Sequence, residues 1–191
     1  MKWLGLVILV AMCAIPALAQ DEVPSIEVGG GYTFRSYNNP NGPRLSMNGW
    51  DGMADYMLFW KWLSVAGQVD GTYKDDGVNG NTSIYSAMAG PQFYPFGHRR
   101  ITLFGQALFG EGYTRYILPS QGGYPKTTFT SNAFAWQVGG GVDYAWKQHW
   151  SIRVIQFDYE DTRFFHASPS QGNYKISVGI MYRFGKLKRG R

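Results

Sequence analysis

The chain has little charge, one cysteine and three histidines. Only 16% of its 191 residues are charged, against about 25% in an average soluble domain. Low charge together with 17% aromatic residues and 25 glycines excludes intrinsic disorder and a charged helical bundle. No long basic run interrupts the body of the chain, so we expect no nucleic-acid partner. The histidines have no neighbours at metal-ligand spacing, which predicts no metal site.

Long apolar runs are also missing, except at the N-terminus. A basic start at residues 1–3 precedes an apolar stretch at 4–15, and Ala17-Leu18-Ala19 has the small-x-small pattern of a cleavage site. We interpret residues 1–19 as a cleaved signal peptide. The alternative is a membrane anchor, but the run is short for a span of about 20 residues and ends at Pro16. Since Cys13 lies inside the signal, the mature chain has no thiol and no disulfide.

The remaining sequence alternates with a period of two residues. In residues 25–35, Ile26, Val28 and Tyr32 share one face, while Glu27 and Arg35 share the other. Similar alternation occupies 63–73, 134–145 and 174–184. These runs are long for soluble strands, which average about 5 or 6 residues, and they suit transmembrane strands of roughly 9 to 11. The pattern therefore predicts strands that cross a membrane.

Four looser runs complete a set of eight. They occupy residues 48–59, 83–94, 101–112 and 150–159. In the last run Arg153 has the opposite parity from Gln156 and Asp158, so a regular strand cannot point all three to one side. A β-bulge near Ile155 would reconcile them.

The connections between the runs alternate in length. Polar loops are predicted at 36–47, 74–82, 113–131 and 160–173, and short turns at 60–62, 95–100 and 146–149. This layout predicts an all-β fold, an eight-stranded antiparallel up-and-down transmembrane β-barrel with long extracellular loops and short periplasmic turns. The alternative is a soluble barrel or sandwich, which would place the apolar face inside.

Aromatic residues gather at both ends of the predicted strands. The short-turn end has Trp60, Trp62, Phe93, Tyr94, Phe96, Trp146, Trp150 and Phe184, and the opposite end has Tyr37, Tyr73, Tyr113, Tyr116, Phe164 and Phe165. We interpret the two groups as interfacial girdles, where amphipathic rings meet lipid headgroups.

Short glycine-rich and aromatic motifs recur in four of the runs: VGGGY at 28–32, GP at 90–91, VGGGVDY at 138–144 and VGIMYRF at 178–184. With the eightfold pattern, they resemble the eight-stranded outer-membrane β-barrel family of the OmpA and OmpX type. The resemblance covers a barrel domain at 20–185 and leaves a basic tail at 186–191. It implies a monomer in the cell outer membrane, among outer-membrane lipid and lipopolysaccharide. It also implies that Tyr182 and Phe184 form the signal read by the outer-membrane assembly machinery.

The polar faces of the strands would point into this barrel. Their predicted lumen network comprises Glu27, Arg35, Asp51, Asp55, Gln68, Asp70, Gln92, Gln106, Gln137, Asp143, Arg153, Asp158, Lys175 and Arg183. Eight strands enclose a lumen just wide enough for side chains, and both charge signs are present. We therefore interpret the network as a polar plug; the alternative is a gated path for small solutes.

Three classes of function remain: a structural or surface-binding barrel, which we favour, a narrow small-solute channel, and a lipid-modifying enzyme. The pair His166 and Ser168 is similar to that of PagL-type lipid A deacylases, which are also eight-stranded barrels. Their histidine needs an orienting acid, and residues 174–183 contain none. The glycine clusters lack the third glycine of a dinucleotide fingerprint. We therefore predict no enzyme, no catalytic residue and no cofactor.

Positive charge concentrates at the predicted periplasmic end. It comprises Lys61, His98, Arg99, Arg100, Lys147, Lys186, Lys188, Arg189 and Arg191. One interpretation is a solvated rim near lipid headgroups; the other is a docking surface for an anionic periplasmic partner.

Overall fold

A computed structural model describes residues 25–39, 42–58, 60, 62–75, 77, 80–120, 125–162, 164 and 171–185. The strands are β1 (Ile26–Tyr37), β2 (Leu45–Met57), β3 (Leu63–Asp75), β4 (Asn81–Phe93), β5 (Ile101–Leu118), β6 (Thr127–Lys147), β7 (Trp150–Thr162) and β8 (Gln171–Phe184). Each pairs antiparallel with the next, and β8 pairs with β1, which closes the barrel. The predicted fold is confirmed. No helix among the described residues is long and apolar enough to cross a membrane.

The strands extend into the regions predicted as polar loops. The β5–β6 ladder continues to the pair Leu118 and Thr127, although 113–131 was expected to be a loop. Likewise β7 continues to Thr162, inside the loop expected at 160–173. Polar side chains are compatible with a ladder that continues into water, and the Thr, Tyr and Phe of these segments favour strand structure. The alternation fades because neither face of a strand in water has to be apolar.

Chain direction places both ends of the barrel domain beside the short turns. The Ser25 amide donates to the Phe184 carbonyl at 3.0 Å, and the described residues of the connections, 58, 60, 62, 94–100 and 148–149, lie at the same end. This is the periplasmic end, and the β5–β6 hairpin projects from the opposite, extracellular end.

The barrel wall is apolar outside and polar inside. Val28, Val138 and Val178 are 43–50% exposed on the outer face, where lipid surrounds them, whereas charged side chains are buried inside. Glycines make room for these side chains. A Cβ at Gly139 would collide with the Asp158 carboxylate and the Phe157 carbonyl, so this position admits only glycine without a local shift.

Strand β7 contains the predicted bulge. Asp143 of β6 pairs with Arg153, and Val142 pairs with Ile155, which leaves Val154 as the extra residue. Val154 and Ile155 both face outward. As a result, Arg153 and Gln156 both point into the barrel despite their opposite parity.

Aromatic residues form belts at both ends, with three exceptions. At the periplasmic end Trp62 stacks on Trp60 and Phe93, with ring centroids 5.7 and 6.1 Å apart. The expected belt residues that are instead buried inside are Tyr37, Tyr94 and Phe164. For the first two the reason is parity, because Tyr37 and Tyr94 lie two residues after the inward-facing Arg35 and Gln92. Phe165 lies outside the described residues.

Candidate functional site

The interior of the barrel contains the polar side chains that the alternation assigned to it. All fourteen residues of the predicted lumen network are buried, and the most exposed of them, Arg183, is 8% accessible. They come from all eight strands and divide into an extracellular, a middle and a periplasmic layer along the barrel axis.

The extracellular layer is a cluster of two cations and two anions. Arg35 Nη2 lies 2.5 Å from Asp70 Oδ2 and 3.0 Å from Glu160 Oε2. Lys175 Nζ lies 2.7 Å from Asp70 Oδ1 and 3.1 Å from Glu160 Oε2. The Ser86 hydroxyl also donates to Asp70. The cluster joins β1, β3, β7 and β8 across the lumen, and its four charges sum to zero.

Glu160 is the main functional residue that sequence reasoning missed, because it fell in a predicted loop. Glu160 lies two residues after Asp158 on β7 and therefore shares its inward face. This spacing was the signal that could have identified it. Other buried polar residues outside the predicted set are Thr33, Ser64, Thr72, Thr82, Ser86, Thr102, Thr114, Ser151, Gln156, Thr162, Gln171, Asn173 and Ser177. Above the charged layer, an apolar cap of Tyr37, Met47, Ile84 and Phe164 closes the extracellular mouth.

The middle layer is built from glutamines. Gln68 Oε1 accepts hydrogen bonds from the amides of Gln137 at 2.9 Å and of Gln106 and Gln156 at 3.4 Å. Gln106 and Gln156 also donate to the two oxygens of Asp158, at 3.0 and 2.7 Å. These bonds connect β3, β5, β6 and β7, so the middle of the lumen is filled by mutually bonded side chains.

The periplasmic layer contains separate ion pairs. Arg153 donates to both oxygens of Asp143, at 2.9 and 3.0 Å, and its guanidinium lies 4.1 Å from the Phe104 ring centroid. Arg183 Nε lies 2.7 Å from Glu27 Oε1. Bidentate pairing and ring stacking together fix the guanidinium of Arg153 at the centre of this layer.

Tyr94 closes the periplasmic mouth of the lumen. Its hydroxyl donates to Asp55 Oδ2 at 3.0 Å and accepts from the Gln92 amide at 2.5 Å. Burial raises the pKa of the Tyr94 phenol well above its usual value, so the group remains a hydrogen-bond donor to Asp55. Its ring packs on His98, with centroids 4.1 Å apart.

The interior carries more acidic than basic residues. The buried acids are Glu27, Asp51, Asp55, Asp70, Asp143, Asp158 and Glu160, and the buried bases are Arg35, Arg153, Lys175 and Arg183. Asp51 is 3% exposed, and neither of its carboxylate oxygens has a hydrogen-bond partner among the described residues. A small cavity beside Gln68, Gln106 and Arg153 has room for about one water molecule. Within the described part of the chain, no three potential ligands cluster as a metal site.

Comparison with known protein families assigns the chain to one of them. The sequence profile of the outer membrane protein beta-barrel domain matches residues 5–184. The chain belongs to this family, and the protein therefore resides in the cell outer membrane. The signal peptide expected at 1–19 and the tail at 186–191 lie outside the described residues. Comparison with curated proteins found no match.

Solved outer-membrane proteins share the fold at low sequence identity. Neisserial surface protein A superposes with a TM-score of 0.69 at 13% identity, covering 84% of this chain and 97% of that one. Ail, the attachment invasion locus protein of Yersinia pestis, was solved in complex with a heparin analogue, sucrose octasulfate. It gives a TM-score of 0.61 at 20% identity and covers 83% and 97%. OprG of Pseudomonas aeruginosa gives 0.56 at 14% identity and covers 85% and 97%.

Proposed function

We propose that the protein is a sealed barrel that braces the outer membrane and presents its extracellular end for binding. The observation that carries the sealed state is the buried cluster of Arg35, Asp70, Glu160 and Lys175, which spans the lumen. Below it, the glutamine layer fills the remaining width. An open pore for solutes would require these groups to separate, and each would then lose a buried partner.

Planar-bilayer recording of the purified, folded protein tests this proposal. A sealed barrel gives no discrete conductance steps. Reproducible steps from the native protein would contradict the proposal. Steps that appear only in an Arg35→Ala, Lys175→Ala double variant would support it, because the variant removes the cations that hold the cluster together.

A narrow channel is the second candidate. It is favoured by Asp51, whose buried carboxylate lacks a partner, and by the excess of acids, which together would attract cations. If the native protein conducts, this candidate predicts cation selectivity that decreases in Asp51→Asn. A conductance unchanged by this substitution would count against a path through the lumen.

Surface binding is proposed for the projecting β5–β6 hairpin. Tyr116 stacks on Phe129 there, with centroids 6.4 Å apart, and Arg115 and Lys126 are exposed nearby. Ail, similar in fold, was crystallised with a sulfated sugar, which makes immobilised heparin a reasonable first probe. Cells displaying an Arg115→Gln, Lys126→Gln variant should adhere less than cells displaying the native protein. Equal adhesion of the two would argue against this surface.

We infer no catalytic role. β8 contains no Asp or Glu to orient His166, and His166 and Ser168 both lie outside the described residues. Lipid A profiles of cells expressing the native protein and a His166→Ala variant should be identical. Loss of deacylated lipid A in the variant would establish an enzyme instead.

The proposed partners are outer-membrane lipid and lipopolysaccharide around the wall, and the assembly machinery at the end of β8. The girdle rings support the first, and the aromatic pair of half-buried Tyr182 and exposed Phe184 at the periplasmic end supports the second. Closure of β1 on β8 leaves no free sheet edge in the barrel wall, which supports a monomer.

A further inference from the structure

Two cations stand side by side at the periplasmic lip of strands β5 and β6. The Ala145 amide donates to the Arg100 carbonyl at 2.8 Å, which extends the β5–β6 ladder one residue beyond Ile101. Lys147 is the last residue of β6, two positions further along. At about 3.4 Å per residue, its backbone lies roughly 7 Å from that of Ala145. Both side chains are exposed.

Each cation is held against an aromatic ring of β6. Arg100 Nη2 donates to the Tyr144 hydroxyl at 2.8 Å, and its guanidinium carbon lies 5.5 Å from the ring centroid. Lys147 Nζ lies 5.0 Å from the Trp146 ring centroid. Tyr144 has the outward parity of Val138, and Trp146, the extra residue where the β6–β7 register shifts, is 60% exposed. These contacts therefore bring both charges towards the lipid-facing side of the wall.

Neither cation is neutralised within the described part of the chain. No described carboxylate lies within ion-pair distance of Arg100 or Lys147. The nearest acid along β6, Asp143, is buried and bonded to Arg153. The positive charge of this lip is therefore available to an external anion.

Apolar surface adjoins the charges on the membrane side. Ile101 is 47% exposed and Trp146 is 60% exposed. A ligand with an anionic head and hydrocarbon chains would fit this combination, since its chains would cover Ile101 while its head lay between the two cations. A soluble anion would use only the cations and would leave the apolar surface uncovered.

We propose that Arg100, Tyr144, Trp146 and Lys147 form a binding site for the anionic phosphodiester headgroup of a diacyl phospholipid in the periplasmic leaflet. Arg100 donates to the phosphate oxygens, Lys147 supplies a second positive charge, and the two rings hold both side chains in place. The site selects anionic over zwitterionic phospholipid because the latter brings its own cation into the same space. The site is independent of whether the lumen conducts.

Native mass spectrometry of the folded mature protein in detergent tests the site. The probes are phosphatidylglycerol and phosphatidylcholine with identical acyl chains. The native protein should retain phosphatidylglycerol preferentially. An Arg100→Gln, Lys147→Gln variant should bind it more weakly, by about fivefold for each basic residue removed, with a smaller decrease for phosphatidylcholine, so that the preference between the two lipids is reduced.

A matched control removes two basic residues from the opposite end that belong to no proposed binding surface, with Arg44→Gln and Lys74→Gln. This control should retain phosphatidylglycerol like the native protein. Equal retention of phosphatidylglycerol by the native protein and by the Arg100→Gln, Lys147→Gln variant would overturn the proposal. An equal loss of binding in the control variant would overturn it as well. Both variants must first show the heat-modifiable gel migration of the folded barrel.

A competition arm distinguishes lipid from free anion. Millimolar glycerol phosphate should displace little of the bound lipid, because it cannot cover Ile101 or Trp146. Complete displacement at that concentration would show that the lip binds a soluble phosphate and would overturn the lipid assignment. Added salt should weaken phosphatidylglycerol binding in the native protein, since exposed charges are screened.

Discussion

The two faces of the barrel wall differ in what they tolerate. On β1, Glu27 and Arg35 point inward and are buried, while Val28 and Tyr32 point outward and are exposed. Inward groups must find hydrogen-bond and ion partners, because burial of an unpaired polar group is costly. Outward groups need only be apolar or interfacial, because lipid has no fixed shape. The inner face is therefore sensitive to lost partners and added volume, and the outer face to added charge.

The largest expected effect comes from removing a charge from the inner face. Asp70→Asn leaves Arg35 and Lys175 with Glu160 as their only anion in the cluster, and breaking such a buried pair costs about 3 to 5 kcal/mol. Urea unfolding of the reconstituted barrel, followed by gel migration, measures the loss. The control, Glu111→Gln on the exposed part of β5, should change the unfolding free energy by less than about 0.5 kcal/mol. Similar losses of unfolding free energy in both variants would show that the buried cluster stabilises the barrel no more than an exposed carboxylate does.

The second effect comes from adding charge to the outer face. Val138→Arg places a cation in the hydrocarbon region and should destabilise the barrel by about 2 to 4 kcal/mol. Thr130→Arg lies eight residues earlier on the same face of β6, in the projecting hairpin, and should be nearly neutral. The same unfolding measurement applies. Equal costs at the two positions would overturn the assigned membrane boundary on β6.

The third effect isolates added volume. Gly139→Ala places a methyl group against Asp158 inside the barrel and should cost about 1 to 3 kcal/mol. Gly105→Ala adds the same methyl group on the outer face, where the nearest atom is 3.8 Å away, and should be tolerated. Thermal unfolding of the two variants compares the faces directly. A Gly139→Ala variant as stable as Gly105→Ala would show that the interior packs loosely.

The smallest stability effect is expected at the periplasmic end of the outer face. Phe184 packs edge-on against Tyr182, with centroids 4.5 Å apart, and Phe184→Ala should lose about 1 kcal/mol. If this aromatic pair is read during assembly, the variant should also accumulate less in the outer membrane, while deletion of residues 186–191 should not change the amount. Quantitative blotting of membrane fractions measures both. Impaired insertion in the deletion alone would assign the signal to the tail.

The β5–β6 hairpin shows why the alternation predicts strands that are too short at the extracellular end. Inside the membrane, one face of each strand must be apolar, which makes the alternation visible in sequence. Beyond the membrane, water solvates both faces, so Thr127 and its neighbours pair with β5 without any apolar pattern. Tyr37 and Tyr94 were wrongly predicted to lie in the girdles. Their residue type favours the membrane interface, but the alternation along their strands places them inside the barrel, where the structure has them.

By itself, the sequence determined the fold class, the number and order of the strands, the bulge in β7 and the fourteen polar residues predicted to face inward. A period of two is a local property of each strand, and it needs no knowledge of the neighbours. The tertiary structure alone decided the partners. Arg35 meets Glu160 across 125 positions of the chain because closure of the barrel brings β1 and β7 within side-chain reach. The strand register then selects which of several inward acids lies at the right height.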